Sequence, residues 1–564
     1  MTSPGPTGTT LAAAEWRQRA RDLRKRGQPR LAEAAELNAI ESSVADPVLQ
    51  GAALALFDNR LSSAEPVLRQ RLKDDPYDVA AIRMLAEIAG RLGRYRDAET
   101  LLRRALELAP AFAPARANLA TALHRQGQTA NALVELDKLD GADGSSAHAN
   151  LRAAVLSRAG AFDEAIALYE EVLSRAAAHP KIWMSYGHAL KTVGRQSDSV
   201  EAYRRAAELR PSFGEAWWSL ANLKTVRLGD GDVDAMRAAL NAPIASADDR
   251  FHLHFALAKA LDDQGDHPAA FDHYRDANRL RRELLPYRAQ DTTAQVERLI
   301  ATFTPTFFAD RVGMGCRSCD PIFVVGLPRA GSTLIEQILS SHSMIEGTAE
   351  LPDIPNLVAE LGRRGAYPEG LAELSGGEAR ELGERYLEGA AAQRREDKPF
   401  FVDKLPNNWL HIGFIRLILP GARIIDARRH PLDCGWSNYR QHFARGQAFS
   451  YNLADIGSYY ADYVQWMAHV DAVLPGSVHR VFHEALLEDP KAQVLSLLEA
   501  LNLPFEEDCL LFYENRRPVR TASSEQVRRP LNRDGVGQWR MVADRIDPLV
   551  DALGSILTDY PYVA

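Results

Sequence analysis

From about residue 12 to residue 285 apolar positions recur at helical spacing, and within that pattern a turn residue is followed five positions later by a small one. The pairs are Gly27 with Ala32, Asn59 with Ala64, Gly93 with Ala98, Gly127 with Ala132, Gly160 with Ala165, Gly194 with Ser199 and Gly265 with Ala270. From Asn59 to Gly194 successive turns lie 33 or 34 residues apart, which predicts a stack of helical hairpins whose small residues let paired helices approach. Pro76, Pro110, Pro180 and Pro211 fall where one unit hands over to the next, near a helix start that does not need the missing amide proton. A weaker unit spans 222–247, where Gly229, Asp230 and Gly231 predict an irregular insertion.

The pattern stops around 302–320, a segment containing Pro305, Gly313 and Gly315. Beyond it Ile322-Phe323-Val324-Val325, Phe400-Phe401-Val402, Arg423-Ile424-Ile425 and Val478 to Phe482 are short β-prone runs separated by helical stretches. That alternation predicts a mostly parallel sheet with helices on both faces. The expected division is a helical array over 12–300 and an α/β domain over 301–564.

Gly93-Arg94-Tyr95-Arg96-Asp97-Ala98 and Gly160-Ala161-Phe162-Asp163-Glu164-Ala165 resemble the turn between the two helices of a tetratricopeptide repeat. The resemblance implies an α-helical solenoid with a concave face, either a docking groove for a peptide or partner protein or a stabilising, dimerising array. Trp183, Tyr186, Trp217 and Trp218 read as helix-packing residues.

Composition changes this picture little. A chain of 564 residues exceeds what one core supports, and a net charge of −8 gives no general argument for nucleic acid or an anionic membrane as partner. The opening residues lack a basic segment followed by an apolar one, no apolar run approaches a membrane span, and four cysteines are too few for a secreted disulfide framework. A reducing cytoplasm is the expected location. Cys316 and Cys319 form a lone pair of thiols that nothing elsewhere completes as a zinc site.

Charge matters locally. The first β-prone run enters Gly326-Leu327-Pro328-Arg329-Ala330-Gly331-Ser332-Thr333, after which Leu334, Ile335, Ile338 and Leu339 open a helix. A strand, a glycine loop and a helix start present backbone amides and partial positive charge to phosphate oxygens. Against the triphosphatase loop G-x-x-x-x-G-K-[ST], Ser332 stands where lysine is expected and Arg329 supplies a cation three positions earlier.

A Pro-Arg-small-Gly-Ser-Thr loop resembles the 5'-phosphosulfate loop of sulfotransferases. Two further segments fit the same family. Arg423 to Asp433 is a strand ending in Arg428 and Arg429, with Ser437 eight residues after Arg429; the family grips the 3'-phosphate of 3'-phosphoadenosine 5'-phosphosulfate (PAPS) with such a pair. Arg428 reads as a solvated strand-end charge. The third segment, Thr521-Ala522-Ser523-Ser524-Glu525-Gln526-Val527-Arg528-Arg529-Pro530 followed by Trp539, is similar to the late nucleotide-closing loop of bacterial and tyrosylprotein sulfotransferases. It makes Ser523, Gln526, Val527 and Arg529 cofactor-side candidates. Arg516, Arg517, Arg520, Arg533 and Arg540 crowd nearby, about half of this basic stretch reading as solvated surface.

The resemblance implies a P-loop-like α/β sulfotransferase domain using PAPS without a metal. Pro328, Arg329, Ala330, Gly331, Ser332 and Thr333 would hold the phosphosulfate, and Arg429 and Ser437 the 3'-phosphate. Glu350, 21 residues after Arg329, stands where tyrosylprotein sulfotransferases place a catalytic base, and Lys404, in Val402-Asp403-Lys404-Leu405-Pro406, matches a lysine on the transferring sulfuryl group. Two departures are Gln538, where that group has a lysine, and His483, in place of a tyrosine. His442 is set aside as a base, since it follows Ser437. The acceptor stays open: a peptide tyrosine on the repeat groove, or a glycan, lipid or small molecule. The rivals are a P-loop kinase using Asp426 for magnesium, and a repeat scaffold without activity.

Overall fold

The computed structural model describes residues 11–143, 148–175, 177–223, 226–242, 246–365, 367–443, 446–519, 521, 523–524 and 526–562. The chain forms two compact units, 1–189 and 190–564.

The described residues of the first unit form helices joined by short turns, from Ala13–Lys25 and Pro29–Val44 to Ala149–Ala159 and Phe162–Arg175. The hairpin turns fall at the expected positions: Gly27, Asn59, Gly93, Gly127 and Gly160 have φ between 58° and 79°, the left-handed conformation that ends a helix and reverses the chain. The small partners Ala32, Ala64, Ala98, Ala132 and Ala165 are at most 2% exposed, so each turn is followed by a helix contact that a larger side chain would block.

The second unit begins with further hairpins of the same kind. Gln196–Leu209 and Gly214–Ala221 are followed by Asp230–Asn241, and Ala247–Asp263 packs on His267–Leu284. After Ala289–Thr302 the chain enters a five-stranded sheet: β1 (Pro321–Gly326), β2 (Ile345–Ala349), β3 (Phe400–Asp403), β4 (Arg423–Arg428) and β5 (Val478–Phe482). The order is β2-β3-β1-β4-β5 and every pairing is parallel, with Ile322 opposite Val402, Val324 opposite Ile425 and Ile425 opposite His479. All six residues of β1 are buried, as a central parallel strand covered on both faces requires.

The sequence pattern shows four of the five strands. β2 escapes it, because Ile-Glu-Gly-Thr-Ala has no run of β-branched residues, and its pairing with β3 supplies what propensity does not.

The hairpins of this unit are fastened to the sheet domain through a buried aromatic seam. Phe271 stacks on Trp436 at 5.9 Å, Tyr274 meets the same indole edge-on, and the Asn278 side chain donates to the Tyr439 carbonyl at 3.0 Å. Arg282 pairs with Asp455 at 2.9 Å and Thr293 donates to Asp462 at 3.0 Å.

Candidate active site

After β1 the chain crosses to β2 and β3 on one side, then to β4 and β5 on the other. Ligands in open parallel sheets bind at such a switch point, outside the carboxyl ends of the strands. The Gly326–Thr333 loop sits there. Gly326 has φ 135°, and a Cβ on it would lie 2.3 Å from the Ala427 carbonyl, so β4 approaches too closely for any other residue. The loop then turns into the helix Ser332–Ser340, with Gly331 as its left-handed N-cap.

Arg329 has φ 68°, a conformation few side-chain-bearing residues adopt. Its guanidinium donates to Ser437 Oγ at 3.0 Å, to Ser523 Oγ, and to Gln526 Oε1 at 3.1 Å. One arginine therefore joins three candidates scattered over nearly 200 residues of sequence. Arg429 donates to the Arg329 carbonyl at 3.2 Å and to the Gly535 carbonyl, while its Nε has no partner among the described residues. No carboxylate lies within ion-pair distance of either arginine among the described residues. Burial, then the neighbouring Arg429 and Arg440, push the Arg329 guanidinium from 12.5 down to about 10.

The loop is anchored from behind. The Pro328 carbonyl accepts from Asn438 Nδ2 at 2.7 Å and from Cys434 Sγ at 3.4 Å, and Thr333 Oγ1 lies 3.3 Å from Thr521 Oγ1. Ala330, Ser332 and Thr333 are buried. Val527 is buried, and Arg529, 3.5 Å from Asp534, keeps 55% of its side chain exposed. Arg520, Ala522 and Glu525 lie outside the described residues.

Glu350 and Lys404 meet on the other side of the loop. Parallel pairing of β2 with β3 puts Ala349 opposite Asp403, so the two following residues leave the sheet side by side. Lys404 Nζ donates to Glu350 Oε1 at 2.6 Å; the lysine is 1% exposed and the carboxylate 48%. Asp403 accepts from Tyr386 OH at 3.1 Å and from the Leu351 amide at 3.4 Å, and burial holds its carboxyl well above the usual range. A cavity of about 450 Å³ opens on the β4 side of the loop, bordered by Arg329, Ser332, Arg429, Ser437 and Ser523. Glu350 and Lys404 do not border it.

Three side chains depart from expectation or were not foreseen. Arg428 is not solvated: its side chain is 12% exposed, paired with Asp426 at 3.0 Å and bonded to Tyr463 OH at 3.2 Å. Asp426 is fully buried, held also by Arg480 at 2.8 Å and by Tyr463, so the carboxylate suggested for magnesium is consumed by the core. Asn438, which ties down the loop, sits in the last turn of the helix Pro431–Tyr439 with nothing in its neighbourhood to mark it in sequence.

The two departures from the family pattern also take definite places. His483 borders the cavity with its Nδ1 3.2 Å from where a Gly331 Cβ would stand; burial, then Arg429 and Arg329, hold its ring down to about 3, a neutral imidazole. Gln538 accepts from Arg440 and donates to the Asp534 carbonyl. His442 is enclosed by Phe251, Phe255, His252 and Trp218, its ring pushed down to about 2 chiefly by burial.

Residues 321–507 match the model of the sulfotransferase family, and residues 91–155 and 150–212 match two models of the tetratricopeptide repeat. The chain joins tetratricopeptide repeats to a sulfotransferase-family domain. A protein of Aquifex aeolicus (strain VF5), described as uncharacterized, is 30% identical over 430 residues, covering 74% of this chain and 56% of its own length. The chain thus spans little more than half of that relative. Among solved structures, the sulfotransferase domain of the Synechococcus PCC 7002 olefin synthase is 17% identical, covering 41% of this chain and 97% of its own, with a TM-score of 0.28. YrrB, a repeat protein with an unusual peptide-binding site, is 20% identical, covering 32% of this chain and 94% of its own, with a TM-score of 0.26.

Proposed function

We propose that the 301–564 domain transfers a sulfuryl group from PAPS to an acceptor hydroxyl. The observation that carries the reading is the pair Arg329 and Arg429, set at a phosphate-type loop with only neutral oxygens as partners among the described residues. Arg429 is buried and Arg329 partly so; enclosed cations without a carboxylate are costly, and an anionic ligand offsets that cost. The fit extends further: the Arg429 Nε has no partner among the described residues, the helix Ser332–Ser340 starts at the loop, and the 450 Å³ cavity is large enough for a nucleotide. PAPS supplies the activated sulfuryl group when bound.

In this reading the loop amides, Arg329, Ser332 and Thr333 hold the 5'-phosphosulfate, and Arg429 and Ser437 hold the 3'-phosphate. Ser523, Gln526, Val527 and Arg529 close over the nucleotide. Glu350 takes the proton of the acceptor hydroxyl as its oxygen bonds to sulfur and the bond from sulfur to the 5'-phosphate oxygen breaks. Lys404 lies beside Glu350 and neutralises charge on the transferring group. A peptide tyrosine is the first acceptor to test, with glycans, lipids and small molecules searched by mass spectrometry for one added sulfuryl group.

Calorimetry with 3'-phosphoadenosine 5'-phosphate in the presence of a chelator tests the donor site. Micromolar or tighter binding by the intact protein, lost in Arg329→Ala, is expected. If the intact protein does not bind, the reading fails.

A further inference from the structure

The donor cavity has two walls of different chemistry, and one of them is made by the repeats. The sheet domain contributes Arg329, Arg429 and Arg529. Opposite them, the helices Gly214–Ala221 and Ala247–Asp263 contribute Trp218, Asn222, Lys259, Asp262 and Asp263. All of these residues belong to the second unit.

The repeat wall does not suit phosphate. Its one lysine is tied to Asp263, and Asp262 is held by Arg440 at 2.9 Å and His267 at 2.8 Å. What remains to meet a ligand is the amide of Asn222 beside an indole. Asn222 follows Trp218 by four residues at the end of one helix, so both side chains rise on the same face. Trp218 is fixed by Phe255 at 5.4 Å and by His442 at 6.3 Å, leaving 7% exposed. Asn222 Oδ1 is buried and has no hydrogen-bond partner among the described residues. An amide oxygen left so costs about tenfold or more in an equilibrium unless a donor reaches it.

Resting on the PAPS reading, we propose that these repeat helices form the base-recognising wall of the donor site, with Asn222 accepting a hydrogen bond from the exocyclic amine of adenine beside Trp218. The two walls orient the nucleotide: phosphates face the arginines, and the uncharged base faces the Asn222 amide. A base with a carbonyl in place of the amine sets oxygen against oxygen and is rejected. The repeats in this unit are then part of the nucleotide site rather than a tethered docking module.

The test is calorimetry on the intact protein with 3'-phosphoadenosine 5'-phosphate and its inosine counterpart, which carries a carbonyl in place of that amine and a proton on the adjacent N1. The wild type is expected to prefer the adenine ligand by about tenfold or more. Asn222→Ala is expected to bring the ratio close to one, weakening the adenine ligand and relieving the oxygen–oxygen clash of the inosine one, and Asn222→Asp, which keeps an acceptor oxygen, to retain the preference. Affinity of Asn222→Ala for the inosine ligand no lower than that of the wild type reports that the variant site is intact. Equal binding of the two ligands by the wild type, a preference for inosine, or a ratio unmoved in Asn222→Ala overturns the assignment. Arg329→Ala separates the two claims, since it loses both ligands; a wild type that binds neither sinks the donor reading and this wall with it.

Discussion

Glu350 and Lys404 are joined by one short hydrogen bond, yet their surroundings differ sharply: the lysine is enclosed and the carboxylate is half open to solvent. A base has to meet an incoming hydroxyl, and an exposed carboxylate positioned by a fixed cation can. Glu350→Gln is expected to lower sulfuryl transfer by about 10²- to 10⁴-fold while leaving affinity for 3'-phosphoadenosine 5'-phosphate within about twofold. Unchanged turnover in an acceptor assay removes Glu350 from its role. Lys404→Met is expected to cost transfer as well, with little loss of folding stability, because an apolar side chain of similar length avoids burying an unpaired charge. Arg329, Ser437 and Glu350 stand out as candidates in the sequence because a loop, a spacing of eight residues after Arg429 and the family's spacing of 21 residues after Arg329 mark them. Asn438 does not, because it acts through a contact with the Pro328 carbonyl made only when distant segments meet, and a lone asparagine in a helix has no local signature.

At the scale of elements, the period of the hairpin turns and the four apolar strands were legible, since turn geometry and full burial leave strong marks on composition. The edge strand β2 was not, and its placement of Glu350 comes from register with β3. The seam between repeat helices and sheet domain was equally hidden. At its centre are two histidines: His442, and His252 with its ring 4.7 Å away. Around them lie Phe251, Phe255, Trp218, Tyr451, the Arg281 guanidinium, the Asp248 carbonyl that His252 contacts, and the carboxylates of Asp248 and Asp249. Burial holds His252 down to about 4 and His442 to about 2. In the unfolded chain each takes a proton near 6.5, so below that pH the unfolded state binds more protons and stability falls. The contribution is complete above 6.5; for His252 the loss ends near 4, for His442 it continues toward 2. One unit below 6.5 the His442 share is about 1.4 kcal/mol. Denaturant unfolding at pH 7.5 and 5.5 should show this acid loss, reduced by about that amount in His442→Phe; an equal pH dependence in the variant refutes the assignment.

For the molecule as a whole, the change from helices to sheet and the limit of the compact units fall in different places. The first strand of the sheet starts at Pro321, whereas the second compact unit starts at 190 and carries the hairpins along. A chain cut at 301 exposes Trp436, Tyr439 and His442, all under 9% exposed, and strips Asp455 of Arg282. Burial of a large apolar side chain contributes about 1.5–3 kcal/mol, so the two aromatics alone represent about 3–6 kcal/mol, a sizeable part of the 5–15 kcal/mol by which a domain is stable. A chain starting at Pro180, ahead of the helix Pro180–Val193, keeps the seam and both walls of the cavity. It is expected to unfold cooperatively and to bind 3'-phosphoadenosine 5'-phosphate within about threefold of the full-length protein, whereas a chain starting at residue 301 should aggregate or lose binding. Full binding by the shorter chain contradicts the claim that these hairpins belong to the catalytic unit, because the arginines, the loop and Ser437 would then suffice without the repeat wall.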